Sequence, residues 1–187
     1  MRRVSVVGST GTGKTTFARE LAAILGVPHV ELDALAWGPS WTLADAETLQ
    51  ARARDAIAGD AWVVDGNYGG RGVRPLVWAK ADTIVWLDFS LPVIYRRLWG
   101  RTLARIRDRR ELWPGTGNRE SIRDAFFSRE SLFVWALRTY RARKRSYPPL
   151  LAAAEAGGKF VVHFTRPADA DRWLAQRRAD AERMARR

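Results

Sequence analysis

Residues 4–18, "VSVVGSTGTGKTTFA", restrict what this chain can fold into more than any other stretch. A short apolar run ends on Gly8, a glycine-rich loop follows, and Lys14, Thr15 and Thr16 open a segment in which Phe17, Leu21, Ile24 and Leu25 share one helical face. The spacing predicts a buried strand, a tight loop and a helix over 14–25 that stops at Gly26. Gly8-Ser9-Thr10-Gly11-Thr12-Gly13-Lys14-Thr15 satisfies G-x-x-x-x-G-K-[ST] at each fixed position, in the strand-to-helix context that gives the pattern its meaning. Glycines let backbone N–H groups turn inward on an oxyanion. The start of a helix adds unpaired N–H groups and the positive end of its dipole. The expectation is that Gly8 to Thr15, with Thr16 behind them, cradle the phosphates of a nucleoside triphosphate. Lys14 then bridges the terminal phosphates, and the Thr15 hydroxyl is a Mg²⁺ ligand.

Beyond the loop, short apolar runs alternate with helical patterns. Strands are predicted in "HVELDAL", "AWVVDG", "DTIVWLDF" and "KFVVHF". Helices are predicted over 45–58, 75–80, from Pro92 toward Arg110, over 120–145 with a break at Pro148-Pro149, and over 169–187. The alternation is that of an α/β fold, a parallel sheet covered on both faces. No internal repeat or linker interrupts it, so residues 1–187 are read as one domain.

Composition narrows the class. The sequence has no cysteine, which removes a disulfide framework and thiolate metal ligands and fits a cytoplasmic location. No apolar run reaches the roughly 20 residues of a membrane span. The net charge of +12, mostly from arginine, favours polyanionic partners: nucleotides, nucleic acid or anionic lipid.

Three acids fall near predicted strand ends, where ligands of an open α/β sheet lie: Asp33, Asp65 and Asp88. Asp65, before Gly66, suits the metal side; Asp33 suits a base or ligand on the acceptor side. Asp88 is either a similar group or a cap for the helix that follows. Arg97, Arg101 and Arg105 recur at i, i+4, i+8 and share a helical face leading into "LWPGTGN", a pattern for a small lid over about 97–119 that excludes water and stabilises charge on a transferring group. The basic cluster "RTYRARKRSY" reads as a solvated helix end in preference to a nucleic-acid surface. Trp37 and Trp41 either line an acceptor pocket or are core or edge packing, and the other tryptophans are assigned to the core. His29 and His163 are too isolated to suggest a metal site and are given no role.

"LDALAW", "WVVDGNY", "ADTIVWLDF" and "ESLFVWALRTYRARKRSYPPLL" together resemble the adenylate kinase-related P-loop proteins known as DNA topology modulation proteins, from Val4 to about Trp173. The resemblance implies a nucleoside-monophosphate-kinase-like fold with a five-stranded parallel sheet ordered 2-3-1-4-5. It implies an adenine-contacting segment "TRPAD", in which Arg166 sits. It also puts Asp65 in the place of the aspartate of the adenylate kinase "DGFPR" segment, and Arg97 and Arg101 at the lid arginines. Asn67-Tyr68-Gly69 replace the proline-arginine pair of that segment and the lid is short, which leans toward a smaller acceptor than a nucleotide, as in shikimate or gluconate kinases.

These features converge on an ATP- and Mg²⁺-dependent kinase acting on an unidentified small-molecule acceptor, with Lys14, Asp33, Arg97 and Arg101 as catalytic residues and Thr15 and Asp65 on the metal. Two other readings stay open: a nucleotide-regulated, nucleic-acid-associated protein, and a plain NTPase whose hydrolysis drives a conformational switch.

Overall fold

The computed structural model describes residues 1–108, 111–119 and 132–186, the first two residues of the last stretch by backbone alone. Five strands form one sheet: β1 (Arg3–Gly8), β2 (His29–Glu31), β3 (Trp62–Asp65), β4 (Thr83–Leu87) and β5 (Phe160–Phe164). All pairings are parallel and the order is β2-β3-β1-β4-β5, as the resemblance implied. The connecting helices are α1 (Lys14–Leu25), α2 (Leu32–Ala36), α3 (Ala46–Ala56), α4 (Val73–Lys80), α5 (Leu91–Arg107), α6 (Leu132–Ala156) and α7 (Pro167–Ala185). Short 3₁₀ turns lie at Pro39–Trp41 and Gly69–Arg71.

The central strands are apolar on both sides because both faces are covered. Val4, Val6, Val85 and Leu87 pack with Phe17 and Leu21 of α1, Ile94 and Leu98 of α5, and Leu174 of α7. The alternate residues Val7, Val64, Ile84 and Trp86 pack with Leu49 and Ile57 of α3, Val77 and Trp78 of α4, and Tyr147 and Leu151 of α6. Helix α1 ends as expected at Gly26, whose left-handed φ of 65° lets its N–H cap Ala22 and Ala23.

Four expectations change. "HVELDAL" is not one strand: β2 stops at Glu31, and Asp33 lies in the first turn of α2. Leu32 and Ala36 are both buried, so the helical spacing i, i+4 wins over strand alternation. Pro148 and Pro149 do not end the helix that carries them, because α6 runs through both. Tyr147 and Leu151, one turn apart, are buried against the sheet, while both prolines are exposed, so the carbonyls they leave unpaired meet water. Trp99 and Trp135 are half-exposed rather than core residues, at 52% and 54%. Ser90 rather than Asp88 occupies the N-cap of α5. The expected helix over 120–145 lies outside the described residues before position 132, as do Arg109, Arg110 and Arg187.

Candidate active site

The loop between β1 and α1 sits at the C-terminal edge of the sheet, against β4. A Cβ at Gly8 would lie 2.5 Å from the Leu87 carbonyl oxygen, and one at Gly11, where φ is +81°, 3.0 Å from that of Ile94. Those glycines are required by close backbone approach. Thr12 is fully buried, and its hydroxyl donates to the Ser9 carbonyl at 2.8 Å. Lys14 Nζ donates to the same carbonyl at 2.9 Å, so the lysine folds back over the cradle. Burial and the neighbouring Arg143 and Arg101 guanidiniums lower its pKa to about 8, against the opposing pull of Asp33 and Asp65. Asn67 locks the mouth of the loop: its amide donates to the Gly8 carbonyl at 2.9 Å and accepts from the Gly8 N–H at 3.3 Å.

Asp65 ends β3 on the α1 side of the sheet and is 3% exposed. Its Oδ2 accepts from the Thr15 hydroxyl at 2.6 Å, while Oδ1 faces His29 Nε2 at 3.0 Å. The two residues expected at a metal therefore touch, although 50 positions separate them. A hydroxyl and a carboxylate are hard oxygen donors of the type Mg²⁺ selects when phosphate and water complete its shell. Glu31, side by side with Asp65 in the β2–β3 register, has its carboxyl pKa raised by burial and by that neighbour, and accepts from Trp113 Nε1 at 3.3 Å.

Asp33 is exposed at the rim, and its Oδ1 accepts from the Tyr68 hydroxyl at 2.7 Å. Burial and the Asp33 charge hold the Tyr68 phenol far above its usual pKa, so it stays a donor. Asp33, Asp65, Lys14 and Thr15 thus surround one end of the sheet. Asp88 is turned to the opposite face, where Oδ2 binds Lys144 at 2.7 Å and His163 at 2.9 Å. Both histidines therefore have carboxylate partners, although neither was given a role from sequence.

A groove of about 340 Å³ runs from Gly11 and Gly13 past Thr16 and Phe17 to Arg97 and Arg101, closed by Ala170 and Leu174 of α7. Arg97 spans it, with Nη1 donating to the Thr12 carbonyl at 2.8 Å and the guanidinium 5.2 Å over the Phe89 ring. Arg166 lies outside the lining of this groove and is paired with Asp169 at 3.0 Å, so the segment after β5 borders the groove through α7 instead.

Residues 111–119 form a small hairpin, bridged between Glu111 and Arg119, that docks on the loop after α2. The Trp113 ring stacks on Trp37, with centroids 6.5 Å apart, and meets Trp41 edge-on at 6.0 Å. Asn118, 1% exposed, accepts from the Trp41 N–H at 2.9 Å and donates to the Gly38 carbonyl at 2.9 Å. Trp37 and Trp41 therefore pack against the hairpin, one of the two roles open to them.

Two residues that matter here were not singled out from sequence: Tyr68, which donates to Asp33, and Arg143, which acts on Lys14. Tyr68 was visible only as part of "DGNY". Arg143, expected in a solvated cluster, lies one turn before buried Tyr147 and two before Leu151, a spacing that places it on the buried face of α6.

The fold and loop define a P-loop NTPase-like α/β protein. The profile of the family "ATPase family associated with various cellular activities (AAA)" matches residues 4–64, the part holding the phosphate loop. Among solved structures, a gluconokinase from Sinorhizobium meliloti 1021 superposes with a TM-score of 0.52 at 19% identity, over 99% of this chain and 94% of that one. A shikimate kinase from Acinetobacter baumannii, in complex with shikimate, gives 0.52 at 14% identity, over 99% and 91%. A shikimate kinase from Bacteroides thetaiotaomicron gives 0.57 at 15% identity, over 97% and 98%. The chain shares the fold of these small-molecule kinases. No curated protein matches its sequence.

Proposed function

We propose that this protein is an ATP- and Mg²⁺-dependent kinase that transfers the γ-phosphoryl group of ATP to a hydroxyl of a small molecule. The observation that carries the reading is the contact between Thr15 and Asp65 at 2.6 Å, beside a phosphate cradle and facing a second carboxylate, Asp33, at the same sheet end. The shared fold with gluconokinase and shikimate kinase supports it, as does the resemblance to adenylate kinase-related proteins.

The backbone N–H groups of residues 8–15 and the Lys14 ammonium hold the β- and γ-phosphates. Thr15 and Asp65 are the residues that would hold Mg²⁺, which when bound neutralises phosphate oxygens. Tyr68 occupies one oxygen of Asp33 and leaves the other to accept the proton of the acceptor hydroxyl. As the acceptor oxygen forms its bond to the γ-phosphorus, the bond from that phosphorus to the β,γ-bridging oxygen breaks and its electron pair leaves with ADP. Lys14, Arg97 and Arg101 stabilise the charge that develops. The hairpin over Trp37 and Trp41 keeps water, a competing acceptor, from the transferring group.

The test is acceptor-dependent ADP release, screened against a fractionated metabolite pool. Lys14→Ala should lose nucleotide binding. Asp33→Ala should retain it within a few-fold and lose transfer by roughly 10²-fold or more. Unchanged transfer by Asp33→Ala would remove Asp33 as the base. A second reading, nucleotide-regulated association with nucleic acid, is kept by the exposed Arg138, Arg141 and Arg145 of α6. Such binding would weaken steeply with salt, and the absence of a duplex gel shift at low salt would eliminate it.

A further inference from the structure

The two histidines of the chain, His29 and His163, each meet a carboxylate, but in different settings. The His163 side chain is 42% exposed and shares Asp88 with Lys144. The His29 side chain is 16% exposed, and the Asp65 side chain that it meets is 3% exposed. Only the second pair lies at the phosphate loop.

That contact follows from strand register. β2 and β3 run parallel with His29 opposite Val63, so Asp65 stands two residues further along β3. Residues offset by two across a sheet share a face and come within reach of a long side chain. Val63 packs with Phe17 and Leu21 of α1, so His29 and Asp65 point to the side where Thr15 opens that helix. His29 Nε2 lies 3.0 Å from Asp65 Oδ1, and the Thr15 hydroxyl donates to Oδ2 at 2.6 Å. These are the two partners of the Asp65 carboxylate among the described residues. A carboxylate only accepts, so the imidazole is the donor and its Nε2 carries the proton. His29, Asp65 and Thr15 thus form one chain of hydrogen bonds that ends on the hydroxyl assigned to Mg²⁺.

Without His29 the buried Oδ1 would lose its partner, which is costly. The terminal torsion of an aspartate is broad and roughly two-fold, so the carboxylate would be free to turn. A turned carboxylate changes where Oδ2 stands against Thr15. We infer that His29 is a positioning residue for the metal: its Nε2–H holds Asp65 so that Oδ2 and the Thr15 hydroxyl serve one Mg²⁺ ion together. This rests on the kinase reading above and adds to it a residue standing behind the ligands. Removing partners of that kind lowers metal affinity by roughly 10- to 100-fold.

The test reads metal and nucleotide separately. Full-length protein is held in excess over β,γ-imido-ATP, so that nearly all the analogue is bound. It is then titrated with Mn²⁺, a paramagnetic stand-in for Mg²⁺, and free Mn²⁺ is followed by electron paramagnetic resonance. Affinity for the analogue alone is measured by calorimetry in EDTA. His29→Phe, a planar ring without the donor, should weaken Mn²⁺ uptake at least tenfold and change metal-free nucleotide affinity less than threefold. His29→Gln, which offers an N–H at similar reach, should recover part of the loss. If His29→Phe does not fold, His29→Asn, whose amide stops short of Asp65, is compared with His29→Gln. Mn²⁺ affinity within threefold of wild type in His29→Phe overturns the inference and leaves the kinase reading intact. So does a Gln variant no better than Phe, or a parallel loss of metal-free nucleotide affinity, which marks a contact that serves the fold alone. Failure of all three variants to fold overturns it on the same ground. Wild type that binds the analogue but no Mn²⁺ would remove the metal site from the kinase reading and His29's role with it. Wild type that does not bind the analogue at all would overturn the kinase reading itself.

Discussion

At the scale of single residues the site is organised by charges that have been partly removed from water. Lys14 is the clearest case, because burial together with Arg143 and Arg101 brings its pKa to about 8. A triphosphate favours the charged ammonium and raises that pKa again. Nucleotide affinity is therefore full below pH 8 and declines as pH rises through it, and binding near pH 8 takes up a fraction of a proton. Calorimetry of Mg²⁺-nucleotide binding in buffers of different ionisation enthalpy should read that uptake; its absence from pH 7.5 to 8.5 would mean Lys14 does not titrate there. In the protein without ligand the sign runs the other way. Its folded pKa lies below the ordinary lysine value of 10.5, so the unfolded chain holds more protons between these values and stability rises with pH across that window.

At the scale of elements, two pieces depart from local propensity because tertiary contacts outweigh it. Helix α6 carries two interior prolines and continues, anchored by Tyr147 and Leu151. The 111–119 hairpin, rich in glycine and bends, is held by Trp113, which stacks on Trp37, meets Trp41 edge-on and donates to Glu31, and by the two bonds of Asn118. Stacked aromatic pairs contribute about 0.5–1.5 kcal/mol beyond burial, so Trp113→Ala should release the hairpin without unfolding the sheet. The expected readouts are faster limited proteolysis within 111–119 and more ATP hydrolysis without acceptor, at a melting temperature within a few degrees of wild type. Unchanged proteolysis would show that Asn118 alone suffices.

At the scale of the molecule, two apolar layers share one sheet: β1, β3 and β4 contribute alternate residues to both. Layers joined through the same strands lose support together, so unfolding should be one cooperative transition with matching calorimetric and van't Hoff enthalpies; two resolved transitions would refute residues 1–187 as one domain. No helix among the described residues is long and apolar enough to cross a membrane. The strand, loop and helix of residues 3–25 were legible in the sequence, since glycine placement, apolar period and capping are short-range properties of the chain. So were the strand at Trp62–Asp65, the helix opening at Pro92 and the arginines on its face. Which side chains meet was not legible. Asp65 reaches Thr15 only because β3 lies beside β1 in parallel register, and Asp33 stands at the rim because buried Leu32 and Ala36 turn its segment into a helix. Arg143 comes near Lys14 only because α6, prolines included, presents one azimuth to the sheet. Such meetings depend on strand register and helix rotation, which are set by packing among residues far apart in the chain, and local spacing carries no record of them.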